Sequence, residues 1–213
     1  MGLLAGGTTP AIAQDTTTSA ASPAHLLTGP ELIAALNAED AACKHELSAR
    51  VVGMNNLTPP PEHGDDAAVL AYSKISRREV AVFGRRAHEF MQAERDCIAT
   101  MRASIDRSEP DAKIQMRIAL NATFARGEQL TAHADQAIDR FLAASTNNFD
   151  MGERMLNLSP KEKADPATQK KFLAELGPIK KRFQAAQDDF TASLDAVLAY
   201  LAQPPGGDTA SAP

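Results

Sequence analysis

Four long segments of this chain repeat apolar residues at the spacing of an α-helix, and no segment alternates like a β-strand. Apolar residues that recur every three, four or seven positions line one face of a helix, and such faces become stable by packing together. Aromatic residues are few, with 2 Tyr and no Trp, so the core rests mainly on Ala, Leu, Ile, Val and Met. The sequence therefore predicts an all-α fold: an antiparallel bundle of four long amphipathic helices with disordered N- and C-terminal tails.

Capping signals and prolines predict where the four helices begin and end. Thr28 and Glu31 form a capping box before the first helix, and Ser159 and Glu162 form one before the fourth. Ser108 with Asp111 is expected to cap the third helix, and residues 147–157 to connect the third to the fourth. A bend is expected at Gly84 in the second helix, and Gly177–Pro178 is expected to interrupt and kink the fourth. The predicted helices are 28–56, 65–109, 108–146 and 159–202.

The chain divides into three parts by composition. Residues 1–27 are predicted to be an export-signal remnant and disordered leader, 28–202 a single helical-bundle domain, and 203–213 a disordered tail. The leader carries the small-x-small pattern Ala11-Ile12-Ala13 of a signal-peptidase site but lacks a basic start, so a plain flexible terminus is the alternative. No later segment has the roughly 20 apolar residues that span a bilayer. We therefore expect a soluble bacterial protein of the periplasm, or one that is secreted.

Cys43 and Cys97 are the chain's two cysteines, and both fall on apolar helix faces. In an exported protein, this placement predicts a disulfide between the first and second helices. Two ordinary buried thiols are the alternative, because free cysteine is among the most buried residue types. A redox-active site is not indicated, since the cysteines are far apart in sequence and form no Cys-x-x-Cys motif.

A bond between Cys43 and Cys97 would also set the register of two antiparallel helices. Facing residues would then have numbers that sum to about 140, because both helices rise equally per residue. The start of the first helix would lie opposite Pro110 and its end opposite Gly84. Residues 57–83 would form an overhang, either a projecting helix or one folded back at Gly84.

No residue pattern of a catalytic or cofactor site is found in the sequence. It lacks a Cys-x-x-Cys-His haem motif, a Gly-rich phosphate loop, a Gly-x-Ser-x-Gly elbow, a His-Glu-x-x-His zinc motif and the Glu-x-x-His pairs of di-iron bundles. We therefore predict that the protein is not an enzyme and carries no cofactor. The net charge of −5 argues against binding to nucleic acid, which requires clustered cations.

Three weaker features are candidate sites. The first is an acidic turn that could hold a divalent cation, although acidic residues before a helix also act as N-caps. This candidate metal site comprises Glu62, His63, Asp65 and Asp66. The second is a set of basic pairs on the second helix, which could bind an acidic partner or a lipid head group, or could simply be solvated. This candidate partner-binding cluster comprises Arg77, Arg78, Arg85 and Arg86.

The third feature is a pair of carboxylates, Asp40 and Glu94, on otherwise apolar helix faces. In the register above they lie roughly 9 Å apart along the bundle, which is too far for a shared-proton dyad. We expect each to form an internal ion pair with an arginine or to be exposed at a helix edge.

The sequence favours an exported, non-enzymatic protein that binds a protein partner as an adaptor, scaffold or chaperone-like factor. The expected binding surface is an exposed helix face around residues 65–86. The alternative is a periplasmic sensor or carrier that holds a small ligand or metal ion, either in the loop at 62–66 or between the helices. An enzyme is the least supported class.

Overall fold

Helices account for nearly all the residues that the computed structural model describes, namely 25–52, 58–59, 61 and 65–203. The described residues form no β-strand, only an isolated bridge between Leu27 and Ser108. The predicted all-α bundle is confirmed, while most of both predicted tails lies outside the described residues. No described helix is long and apolar enough to span a membrane. The helices are α1 (Gly29–Val52), α2 (Asp66–Asp106), α3 (Pro110–Leu156), α4 (Pro160–Ala164) and α5 (Pro166–Leu201).

The long helices pack in the order α1, α2, α3, α5, each against the next. Four phenylalanine rings from α2, α3 and α5 meet in mid-bundle with centroids 5.4 to 6.3 Å apart, which adds aromatic contacts to an otherwise aliphatic core. A second apolar cluster joins the start of α1 to the end of α2 and the start of α3. The four rings are those of Phe83, Phe141, Phe183 and Phe190.

α1 runs antiparallel to the second half of α2, as the cysteines predict. The Cα atoms of Cys43 and Cys97 lie 5.9 Å apart with their sulfur atoms at disulfide distance. Earlier in α1, Glu39 accepts a hydrogen bond from Ser104 (2.5 Å), which lies later in α2. Before α1 begins, the Leu27 amide donates to the carbonyl of Arg107 (3.0 Å). Residues nearer the start of α1 therefore contact residues nearer the end of α2, which is the antiparallel arrangement.

The predicted overhang of α2 neither projects alone nor folds back. α2 continues unbroken through Gly84, and its first half packs along the second half of α3. Gly84 is buried where the two helices approach closely: a Cβ there would lie 2.6 Å from Cδ1 of Leu142. The glycine therefore provides space for a neighbouring helix, and of the two alternatives for the overhang the fold-back at this point is wrong.

The third helix differs from its prediction at both ends. Its N-cap is Glu109, and Ser108 is buried with its hydroxyl donating to the carbonyl of Ile105 (2.7 Å). At the other end, residues 147–156 continue the helix and do not form the expected connection. Met151 is buried against the bundle, and this packing outweighs the weak helix propensity of the asparagines and glycine around it.

The predicted fourth helix is divided near its start. The capping box of Ser159 and Glu162 is present, but it opens only the five-residue α4. Pro166 disfavours a helical conformation at Asp165, whose side chain instead caps α5. Further on, α5 continues through Pro178, so the expected interruption is wrong. Gly177 has no Cβ to clash with the proline ring, which helps the helix to continue.

Gly127 provides a test of close packing in the bundle. A Cβ at this position would lie 2.6 Å from the Tyr200 hydroxyl oxygen and 2.8 Å from Cδ1 of Ile98. We expect Gly127→Ala to lower the free energy of unfolding by about 1 to 2 kcal/mol, because overpacking outweighs the gain in helix propensity. Gly152→Ala is the matched control, since nothing lies within 4 Å of its Cβ position. Urea unfolding should show the control to be stabilised by up to about 1 kcal/mol; destabilisation of both variants alike would contradict this packing.

Candidate functional site

The basic pairs of α2 are divided between the α2/α3 interface and the solvent. Arg77 lies against α3, donating to Asp150 (2.8 Å) and Glu153 (3.1 Å), with its guanidinium 5.5 Å from the Phe149 ring centroid. Arg78 and Arg85 are exposed, and Arg86 is exposed but engaged in a contact of its own. Arg77 therefore joins two helices, and the structure does not bring the four arginines together on one free surface.

The candidate metal site lies only partly within the described residues. Glu62 and His63 are outside them, whereas Asp65 and Asp66 are exposed at the start of α2. Asp65 is the N-cap and accepts a hydrogen bond from the amide of Ala68 (2.9 Å), while Asp66 pairs with Lys163 of α4. Among the described residues no group of three or more potential metal ligands occurs. Asp65 thus has the capping role that the alternative interpretation gave to these residues, and Asp66 joins α2 to α4.

Asp40 and Glu94 have different partners from those expected. Asp40 pairs with Lys44 one turn later on α1, at 2.8 Å. Glu94 is only 3% exposed, and no described residue forms an ion pair or hydrogen bond with it. The expectation that each carboxylate pairs with an arginine or lies exposed is therefore wrong. Helical period placed Glu94 on the apolar face, but its isolation depends on how three other helices surround it.

Glu94 faces a small cavity of about 60 Å³ where α1, α2, α3 and α5 meet. Burial is the largest effect on the carboxyl group and raises its pKa to about 7, with repulsion from Asp40 acting in the same direction. Lys44 opposes this shift only in part. A carboxyl group with this pKa changes charge near neutral pH, which makes the cavity the most electrostatically perturbed place among the described residues.

A larger groove of about 920 Å³ lies between α3 and α5, on the half of the bundle distant from the disulfide. Small side chains form much of its wall, which leaves room for an incoming group close to both helices. It extends over residues 140–154 of α3, which corresponds to about 21 Å or four helical turns. Its small and apolar lining residues are Ala143, Ala144, Met151, Ile179, Ala185 and Ala186.

Charged side chains line the rim of this groove, and most are already paired. Arg140 donates to Asp189 (2.7 Å), and Arg154 pairs with Glu175 (3.2 Å). Arg182 is exposed and donates to the carbonyl of Pro178 (3.3 Å); among the described residues it has no carboxylate partner. The rim therefore presents a positive charge that an incoming carboxylate could neutralise.

The groove was not predicted from the sequence, although one signal for it is present. Alanine pairs occur at 143–144 on α3 and at 185–186 on α5. Adjacent small side chains project little from a helix, so a depression can form at such a pair. Their alignment across two helices depends on the pairing of α3 with α5. Comparison with known protein families, with curated proteins and with solved structures finds no match for this chain.

Proposed function

We propose that this is a non-enzymatic helical-bundle protein that acts by binding a protein partner, as an adaptor, scaffold or chaperone-like factor. The observation that carries the proposal is the groove between α3 and α5, the largest of the cavities described above. We propose further that the chain is exported to an oxidising compartment, which the disulfide distance between Cys43 and Cys97 supports.

The occupant that best fits this groove is an amphipathic helix of the partner. Two antiparallel helices, α3 and α5, form its sides, and a third helix can lie between them with its apolar face on the alanines. The small side chains permit a close approach, and the length of about four turns matches a short recognition helix. A carboxylate on the partner helix would meet Arg182 at the rim, so we expect its flank to be acidic.

Blocking the groove should prevent partner binding without unfolding the protein. Ala143 and Ala185 are exposed, so Ala143→Glu and Ala185→Glu together place two larger, charged side chains in the groove at little cost to stability. They would also repel an acidic partner helix. We expect the double variant to retain its partner at least about tenfold less well than the wild type, as in loss of an interface hot spot.

The measurement is quantitative affinity capture from an envelope extract of the native host, followed by titration of the purified partner. Ala81→Glu with Ala99→Glu is the matched control, because it makes the same changes at exposed positions of α2 outside the groove. The control should bind like the wild type. If the two double variants lose the same partner equally, or neither loses it, the groove is not the binding surface.

A second candidate function is that of a carrier for a small amphipathic ligand. The groove volume of about 920 Å³ favours it, since ligand sites commonly measure roughly 300 to 1,000 Å³. Native mass spectrometry of protein from its own host distinguishes the candidates. A bound small mass that is absent from the Ala143→Glu/Ala185→Glu variant would support the carrier and oppose the protein-binding function.

A further inference from the structure

We propose that Glu94 is a proton-operated latch: the neutral carboxyl group allows the last turn of α5 to close over the cavity, and its ionisation releases that turn. The inference does not depend on the groove or its occupant. It rests on the geometry of a carboxyl group that is 3% exposed and faces a small, partly open cavity without a described partner.

The groups that face Glu94 come from each of the packed helices. α1 contributes the titratable pair Asp40 and Lys44, and α5 contributes Tyr200. α3 contributes no charged side chain to the cavity, only apolar groups and the hydroxyl of Thr123. α2 itself adds the Cys97 sulfur, which does not titrate in the disulfide. Among the described residues that line the cavity, Lys44 is therefore the one cation near the new charge when Glu94 loses its proton, and Lys44 is already paired with Asp40.

Ionisation can be accommodated in two ways, and both loosen α5. Lys44 can turn toward Glu94, in which case it leaves the carbonyl of Gln203, 3.4 Å away. Alternatively, water can enter the cavity to solvate the carboxylate, because a buried unpaired charge is strongly unfavourable. Tyr200 and Leu201 line this small cavity, so fuller solvation of the carboxylate would require them to move apart.

The disulfide restrains α1 against α2, so a different helix must move when Glu94 ionises. Cys43 lies three residues after Asp40, so the part of α1 that faces Glu94 is held to α2 through Cys97. α3 is anchored by its long contact with α2. After the buried Val197, the last turn of α5 is only partly buried, and it carries Tyr200 and Leu201, which line the cavity beside Glu94. The latch therefore opens at the end of α5.

Tyr200 can report this opening directly. The chain has 2 Tyr and no Trp, so Tyr72→Phe leaves Tyr200 as the only strong fluorophore. We expect acrylamide quenching of Tyr200 to rise about twofold or more between about pH 5.5 and pH 8.5. The midpoint should lie near 7, where Glu94 titrates. Hydrogen exchange of residues 194–203, corrected for its intrinsic pH dependence, should increase over the same range.

Two variants separate this latch from a general effect of pH. Glu94→Gln in the Tyr72→Phe background should abolish the transition, whereas the exposed Glu89→Gln should leave it unchanged. Asp40→Asn should move the midpoint to lower pH, because Asp40 raises the pKa of Glu94. This shift tests the proposal even if Glu94→Gln fails to fold. No transition in the parent, the same transition in Glu94→Gln, or an unmoved midpoint in Asp40→Asn would overturn it.

Discussion

Replacement of both Cys43 and Cys97 by alanine is expected to lower the free energy of unfolding by about 4 kcal/mol. The two cysteines are separated by 54 residues, and a crosslink that closes a loop of this length restricts the unfolded chain by about that amount. The native state should retain its helices, since α2, α3 and α5 pack without the crosslink. Urea unfolding followed by circular dichroism measures the change.

Reduction of the wild-type protein provides the control for this loss. The reduced protein and the alanine variant both lack the crosslink, so their free energies of unfolding should agree within about 1 kcal/mol. Intact-mass analysis of the untreated protein should show a deficit of two hydrogens that reductant removes. An unchanged urea midpoint on reduction would show that the crosslink contributes nothing to stability.

The second large effect is a loss of stability as pH rises, caused by Glu94. Its pKa is about 7 in the folded protein against an ordinary value of 4.5, so between these values the folded state holds a proton that the unfolded state has lost. The contribution of this carboxyl group to the free energy of unfolding is therefore complete below pH 4.5 and is lost as pH rises through about 7. At 1.36 kcal/mol per pKa unit, the total is about 3 kcal/mol.

The measurement compares the wild type with Glu94→Gln in urea at a series of pH values. The free energy of unfolding of the wild type should fall by about 3 kcal/mol relative to the variant between about pH 4.5 and pH 8. Comparison of slopes removes any constant cost of burying the glutamine amide. Glu89→Gln should follow the wild type. Parallel curves for the wild type and Glu94→Gln would mean that Glu94 has an ordinary pKa.

Local signals in the sequence predicted much of the fold. The cysteines on apolar stripes identified the pairing of α1 with α2, and the capping boxes at Thr28 and Ser159 marked two helix starts. Each cap forms within one turn, and the apolar stripe that carries each cysteine is visible along its own helix, so these signals can be recognised without the neighbouring helices. The extension of α3 over 147–156 was missed because its cause, the burial of Met151, comes from the neighbouring helices.

The candidate sites were less accessible to sequence reasoning. Arg77 looks like a surface arginine until the carboxylates of Asp150 and Glu153 are brought beside it by the pairing of α2 with α3. Glu94 was identified on the apolar face, but its lack of a described partner depends on which basic side chains α1, α3 and α5 place beside it. The groove between α3 and α5 belongs to neither helix alone. Features that form where two or more helices meet can be predicted only when the packing of those helices is known.

The most direct measurement of the proposed function is site-specific photo-crosslinking from the groove in living cells. A benzophenone side chain at Asn147, which is exposed and lines the groove, is compared with one at Ala81 on α2. We predict one crosslinked partner of defined mass from Asn147, none from Ala81, and loss of the product when Ala185→Glu is added. No crosslink from Asn147, or the same product from both positions, would contradict partner binding in this groove.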